Sequence, residues 1–550
     1  MQQRGKIAPS AKGLDLTLSK SKLEHFLADN LLIRWISVII LGGLLFASYL
    51  LISRIVVYNS DDASILLEAQ SMLHGNYLLQ GWYMPTDNFL TIDIPLYALG
   101  LKLGFPLVAL LRIVPSLLYT SVILCSGYLV STLLPHEQRL WSWLALLGIL
   151  AFPPLYMVQL LLVGPIHVGT LLFALIALIA YRHFLRGAGR KWFAFAVLQF
   201  LLLLAVVGDP FVLVFLVVPL LLTECTQMVL KRRISLQENA VFFASLCAIV
   251  ISGAIHWALN IAGVHILLTD GFAFTSIRGM LSNLHQAILI VSFIFNADIF
   301  TASSFSLSRL STLVNAVVVL ALSIAVISVI VNQAKRALLR TETTPDTKII
   351  QASIWSSLGT VAAFILSTLG GVLGRRYLYP LLFLSEPGTF PAIFKFMHKY
   401  VLRIAVVCVF IANALPFAFS LAQVPASVPS QIPLLAVLRE HHLTQGLGSY
   451  WVAAIVTVQS EEQIVVRQVI PRANHLQPYL FLANEQWFDP ANLRQANFII
   501  YRESDDISTY YAASVRTFGK PDHQYHADGF IILAWDTPLL VHVQAGYSFN

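Results

Sequence analysis

Apolar residues run almost without interruption through stretches such as 31–57, 211–230 and 311–332. These approach or exceed the roughly 20 residues that a helix needs to cross about 30 Å of hydrocarbon. The alternation expected of a membrane barrel is absent, so the pattern predicts spanning helices. Eleven fall near 31–57, 106–133, 140–163, 165–183, 192–208, 211–230, 240–262, 309–332, 349–369, 377–397 and 401–420. The first follows a polar tail, residues 1–30, and runs past the length of a signal-peptide core without a small-residue cleavage pattern, so it reads as a retained span.

Composition agrees: 57% of the 550 residues are hydrophobic and only 11% charged, against about 25% charged in soluble domains. A water-soluble globular fold is excluded. The net charge of +7 does not gather into a nucleic-acid-binding patch, because the basic residues are spread between the spans and report orientation instead.

With the tail cytoplasmic, 20 of the 35 lysines and arginines fall on the inner side. They are Arg4, Lys6, Lys12, Lys20 and Lys22; Arg139; Arg182, Arg186, Arg190 and Lys191; Lys231, Arg232 and Arg233; Lys335, Arg336, Arg340 and Lys348; and Lys395, Lys399 and Arg403. The outer loops hold Lys102, Arg278, Arg309, Arg375 and Arg376, as the positive-inside rule requires. Counting the apolar stretch 287–300 as a span would reverse this for Lys335–Arg340, so an interfacial or re-entrant helix is expected there. The four cysteines lie inside apolar runs and offer neither a disulfide framework nor a CxxC pair.

Beyond about residue 421 the character changes. Pro425, Pro429 and Pro433 punctuate a linker, charges return, and β-rich runs at 464–470, 497–501 and 529–535 alternate with turn signals such as Asp528-Gly529. A small extracytoplasmic α+β domain over 421–550 is expected, attached to an all-α polytopic membrane domain over 31–420.

Candidate chemistry crowds the outer side. The first outer loop, 58–105, opens with Tyr58-Asn59-Ser60-Asp61-Asp62 and continues as an amphipathic stretch to Gly75-Asn76. Gly75 is a natural helix stop, and the helix is expected to rest in the membrane interface. The acidic pair reads equally well as a helix cap, with Asp61 at the N-cap and Asp62 favouring the dipole. Asp87 and Asp93 follow in the same loop, and Asp209 and Asp270 lie in later ones, where turn roles suit them. His167 sits at a membrane edge without ligand spacing to another histidine.

Arg375 and Arg376, in Gly374-Arg375-Arg376-Tyr377-Leu378-Tyr379-Pro380, run against the charge trend and suggest an anionic partner, since guanidinium grips phosphate oxygens in a bidentate fork. Snorkelling to headgroups or pairing with a loop aspartate explains either arginine as well.

An acidic pair after the first span, a following helix closed by Gly75-Asn76, many further spans, the Arg376-Tyr377-Leu378-Tyr379-Pro380 motif at a late span and an outer C-terminal domain together resemble the GT-C membrane glycosyltransferases. The nearer likeness is to bacterial protein O-mannosyltransferases and lipid A aminoarabinose transferases. The run Gly446-Leu447-Gly448-Ser449-Tyr450-Trp451 is similar to a segment after the spans of some bacterial relatives. The likeness is architectural over most of the chain and motif-specific over about thirty residues.

The resemblance implies transfer of a sugar from a polyprenyl-phosphate donor to a glycan, lipid or protein acceptor at the outer face of the plasma membrane. It gives Asp61 or Asp62 the role of base, and Arg376, with Arg375, the donor phosphate, with Tyr377 donating a hydrogen bond. It also implies contact with membrane lipids and none with nucleic acid.

Several relatives carry a second acid between the third and fourth spans. Here that loop reads Val163-Gly164-Pro165-Ile166-His167, so a divalent metal lacks the further acidic ligand it would want, and the cofactor stays unassigned. His167, Asp209, Asp93 and Asp87 are the other candidate loop residues. A transporter for lipid-linked glycans or a catalytically silent binding protein are the competing readings, although transporters tend to place ionisable groups near the bilayer midplane.

Overall fold

In hydrocarbon a single segment can satisfy its backbone only as a helix, and the apolar runs obey. The computed structural model describes residues 31–164, 166–187, 190–231, 239–267, 273–299, 307–338, 344–368, 370, 372–425 and 432–542; the tail of residues 1–30 and Asp270 lie outside them. Helices α1 (Leu31–Ile52), α2 (Ser60–Leu73), α3 (Ile94–Lys102), α4 (Leu107–Thr132), α5 (His136–Leu150), α6 (Leu155–Leu161), α7 (Val168–Arg186) and α8 (Lys191–Gly208) are followed by a π-helical turn, Leu213–Val217, that leads into α9 (Val218–Lys231). Then come α10 (Ala240–Ile261), α11 (Ile277–Ile294), α12 (Leu307–Leu338), α13 (Pro345–Leu366), a 3₁₀ turn at Val372–Tyr377, α14 (Leu381–Leu384), α15 (Glu386–Phe396) and α16 (Lys399–Ala422). Among the described residues ten helices are long and apolar enough to cross a membrane, or eleven if a bent pair counts as one span.

Two expected spans, and the stretch expected at the interface, differ from the expectation. The span at 140–163 is the bent pair, α5 and α6 meeting at 95°, because Pro153 and Pro154 supply no N–H to continue the ladder. The carbonyls freed at the bend are buried and find other donors: Tyr49 OH donates to Ala151 O (2.9 Å) and Tyr119 OH to Leu150 O (2.6 Å). The span at 377–397 is no single helix, since α14 and α15 are divided at Ser385, just before Pro387. The stretch expected at the interface around 287–300 belongs to α11, which has the length and hydropathy of a span. Its bonds nevertheless tie it to one end of the bundle: Asn283 Nδ2 donates to Ser367 O (2.9 Å) beyond α13, and Tyr156 of α6 donates to Phe293 O (2.5 Å).

Helices buried in lipid gain little from excluding water and rely on close packing, which favours small residues at contacts. A β-carbon at Gly127 of α4 would lie 2.1 Å from the Trp143 ring of α5, and one at Gly148 of α5 would lie 3.1 Å from Phe410 backbone of α16.

After α17 (Ile432–Glu440), the C-terminal unit builds a six-stranded sheet from β3 (Gln445–Gly448), β4 (Val465–Arg472), β5 (His475–Pro478), β7 (Phe498–Arg502), β8 (His523–Ala527) and β9 (Phe530–Ala534), in the order β5-β4-β3-β7-β9-β8. The three runs expected as strands are β4, β7 and β9. Strand β3 pairs parallel with both β4 and β7, and the outer pairs are antiparallel. Asp528-Gly529 closes the last hairpin with both residues at positive φ, as a two-residue hairpin turn demands. Helices cover both faces: α17 and α18 (Tyr450–Gln459) on Phe498 and Ile500, and α19 (Ile507–Phe518) on Ile499 and Tyr501.

Helix α18 is apolar all round and buried on both sides, as such a helix should be. Val452, Ala453 and Val456 face its own sheet, while Ala454, Ile455 and Val458 join the apolar cluster of the bundle. A second sheet joins the two parts: β1 (Trp82–Met84) of the first loop pairs with β2 (His265–Ile266) on one side and with β6 (Ala483–Asn484) of the C-terminal unit on the other. Glu461 completes the joint by accepting the free N–H groups of Leu107 (3.0 Å) and Val108 (3.1 Å) at the start of α4.

Gly127→Ala should destabilise the detergent-solubilised protein by about 1–3 kcal/mol, because Trp143 must leave its place. Gly43→Ala on α1, where nothing lies within 4 Å, should change stability by less than about 0.5 kcal/mol. Thermal unfolding of the two variants side by side checks this.

Candidate functional site

The site grows from the first turn of α2. Asn59 is its N-cap, not Asp61: the Asn59 side chain accepts from Asp61 N (2.7 Å) and Asp62 N (3.4 Å), while Asp62 Oδ2 accepts from Asn59 N (2.9 Å). This reciprocal capping box takes up one oxygen of Asp62. The other, Oδ1, accepts from Gly164 N at 3.0 Å. Asp62 is therefore fully engaged and buried, and desolvation, opposed by the Asn59 bond, pushes its carboxyl up to about 7.

Asp61 is placed differently. Its Oδ1 accepts from Tyr450 OH at the start of α18, and among the described residues Oδ2 accepts no hydrogen bond. Burial raises its pKa, the Tyr450 bond and the positive charge of Arg376 working against that. The remainder of α2, expected to be amphipathic with one open face, is instead covered by protein. Residues Ala63 to Ala69 are buried, Glu68 included, because α18 of the C-terminal unit packs across the helix. Gly75 ends α2 at φ +99°, as the sequence suggested.

Arg376 lies in the 3₁₀ turn. Its Nη2 donates to Tyr377 OH at 3.0 Å, its guanidinium sits 5.0 Å from the centre of that ring, and it attracts both Asp87 and Asp61. Among the described residues its buried Nε has no partner. Tyr379 of the same motif donates to Ile166 O at 2.6 Å, which fixes the turn against the loop before α7. The side chain of Arg375 lies outside the described residues.

His167 and Asp209 form a buried pair, with His167 Nδ1 2.6 Å from Asp209 Oδ2, which also accepts from Thr170 Oγ1 (2.5 Å). Asp209 Oδ1 accepts from Phe211 N at 3.0 Å, so the expected turn role is real but is only half of what Asp209 does. His167 holds φ +53° at the N-cap of α7. Burial opposes its protonation, but the charge and bond of Asp209 and the charge of Asp87 outweigh it, so the imidazole titrates above its ordinary range. Rings of Phe89, Phe211 and Tyr377 surround it. Asp87 is raised by desolvation, with His167 opposing.

Asp93 precedes α3 but makes no cap bond, and both its oxygens are buried without partners among the described residues. It abuts Gly169 so closely that a β-carbon there would lie 1.9 Å from Oδ1.

The structure thus gathers Asp61, Asp62, Asp87, Asp93, His167, Asp209, Arg376 and Tyr377 at one end of the bundle. Sequence reasoning missed Tyr450, Asn59, Arg112 and Tyr97. Arg112 was visible as a charge inside an apolar run, and it faces Tyr58. Tyr97 lies among Asp93, Asp62 and Tyr58.

Among the described residues no three histidine, cysteine or acidic side chains are grouped to hold a metal ion. What the arrangement offers is an open carboxylate oxygen beside a guanidinium with a free edge, under the cover of the C-terminal unit. No protein-family model matches the chain, and no curated protein matches it significantly.

Asp93 yields a pH test. Burial, with the Asp209 charge adding to it, lifts its carboxyl from the ordinary 3.8 up to about 7, so the folded protein prefers the protonated form. The stability this gives is fully present below about pH 4 and is lost as pH rises through about 7. Asp93→Asn should leave the unfolding temperature at pH 4 nearly unchanged and raise it at pH 8; equal stabilities at pH 8 would contradict the assignment.

Proposed function

We propose that this chain is a membrane glycosyltransferase that moves a sugar from a polyprenyl-phosphate donor to an extracytoplasmic acceptor. The observation that carries the reading is the contrast between the two aspartates. Asp62 has both oxygens engaged, whereas Asp61 keeps Oδ2 open and interacts with Arg376.

In the reaction, the acceptor nucleophile attacks the anomeric carbon of the donor sugar and its proton passes to Asp61 Oδ2. The bond from that carbon to the phosphate oxygen breaks, its electron pair leaves with the lipid phosphate, and inversion results. A positioned carboxylate contributes about 10²–10⁴-fold to such a step. The departing phosphate gains negative charge, and Arg376, its Nε unpaired, is suited to receive it. Tyr377 supports the guanidinium by accepting its Nη2 hydrogen bond.

Orientation follows from the lysine and arginine distribution: the chain is a multi-pass plasma-membrane protein with residues 1–30 cytoplasmic and the C-terminal unit outside. A lipid-phosphate donor suits a site at the end of the helices, since its tail stays in hydrocarbon while its headgroup reaches the loops.

Cells lacking the protein should accumulate the unused lipid-linked sugar, and membranes from such cells then serve as donor for assays of purified variants. Asp61→Asn should lower the rate about 10²–10⁴-fold. Asp62→Asn should retain measurable turnover while losing thermal stability, and Arg376→Ala should raise the apparent KM for donor about tenfold or more. Mass analysis of the lipid-linked sugar provides the readout, and full activity in Asp61→Asn rejects the base.

A further inference from the structure

Tyr450 belongs to the C-terminal unit, 389 residues from Asp61 in sequence, yet its hydroxyl is the donor that reaches the carboxylate of α2. The joint that delivers it leaves little freedom. Strands β1 and β6 pair, Leu482 N donates to Tyr83 O and Glu485 N to Gly81 O (both 2.8 Å), Glu461 binds the start of α4, and α18 packs into the bundle cluster.

The Tyr450 ring is itself fixed by Tyr479 (5.4 Å) and Phe481 (5.6 Å) between centroids. Glycines make the placement possible: a β-carbon at Gly448 would meet Val466 at 2.9 Å and Ile500 O at 3.1 Å, so β3 can enter α18 here only without a side chain at that position.

We infer that Tyr450 is a positioning residue for Asp61, anchoring Oδ1 with its hydroxyl so that Oδ2 faces the incoming nucleophile in its ionised form. The inference rests on the reading of Asp61 as the base, and it makes the C-terminal unit part of the catalytic apparatus. A donor to one oxygen stabilises the carboxylate over the acid and fixes the orientation of the oxygen left free.

The charged and titratable groups that face Asp61 are Tyr450 from α18, Tyr479 from the segment after β5, Arg376 from the 3₁₀ turn and Asp62 from α2. Glu68 faces Tyr450, and Asp87 faces Arg376. Burial and the Asp61 charge both hold the Tyr450 hydroxyl far above its ordinary range, so it stays a donor at every working pH. Removing that donor leaves burial as the dominant influence on Asp61, opposed by Arg376 alone.

The test uses the full chain and two readouts. A hydrophobic carbodiimide modifies carboxyl groups in their protonated form, and peptide mass analysis resolves Asp61 from Asp93 without any substrate. In Tyr450→Phe, which keeps the ring contacts, labelling of Asp61 should persist to higher pH than in the parent while labelling of Asp93 is unmoved. Transfer from accumulated donor should fall about tenfold at neutral pH and recover as pH rises. Replacing Tyr450 by 3,5-difluorotyrosine, isosteric and a stronger donor, should move Asp61 labelling the opposite way, so a folding defect in the phenylalanine variant does not leave the matter open.

Identical Asp61 labelling in parent and both variants overturns the inference. Full transfer by Asp61→Asn instead overturns the reading of the base, and the labelling shift still decides whether Tyr450 anchors the carboxylate.

Discussion

The burial of α18 on both of its faces is the constraint from which the architecture of the site follows. A ten-residue helix with no polar side must be covered all round, and it is covered by its own sheet on one side and by the end of the helical bundle on the other. Fully burying a large apolar side chain contributes about 1.5–3 kcal/mol, so several such residues make separation of the two parts unfavourable. Once they are joined, α2 is enclosed, water is excluded from its first turn, and each acid there must find a donor or remain protonated.

The acids separate according to the donors they find. Asp62 is bound by two backbone N–H groups, and Asp209 by a histidine, a threonine and a backbone N–H. Among the described residues Asp93 has no donor. Asp61 is held by one oxygen, and among the described residues its other oxygen accepts no hydrogen bond. Carboxylates of one chemical type thus acquire different roles from environment, with the helix start, the loop before α7 and the C-terminal unit each supplying a different part of it.

Much of this architecture was legible in the linear pattern, and the omissions share a cause. The runs that became α1, α8, α10, α12 and α16 were recognisable because length and hydropathy are properties of one segment, and β4, β7 and β9 showed their alternation for the same reason. Gly75 was legible as a stop because a positive φ favours glycine.

The break at Ser385 and the bend at Pro153-Pro154 were written in proline positions, but a strong apolar run masked them. The burial of α2 and the reach of Tyr450 to Asp61 were not legible, because amphipathic spacing reports that a face will be covered and not which distant segment covers it. The acidic pair was visible as a pair; which member is spent on the capping box depended on Asn59 and on Gly164, a hundred residues further along.

The small sheet β2-β1-β6 joins strands drawn from near the start, the middle and the end of the chain, and this has a consequence for biosynthesis. With Asp61 and Tyr450 separated by 389 residues, a ribosome adding about 5–20 residues per second needs roughly 20–80 s to travel from one to the other. Through that interval the nascent helices can insert while their acid cluster stays hydrated and lacks its roof. Completion of the last strands is then the event that completes the site, and a prematurely terminated product carries its helices without the Tyr450 contact to Asp61.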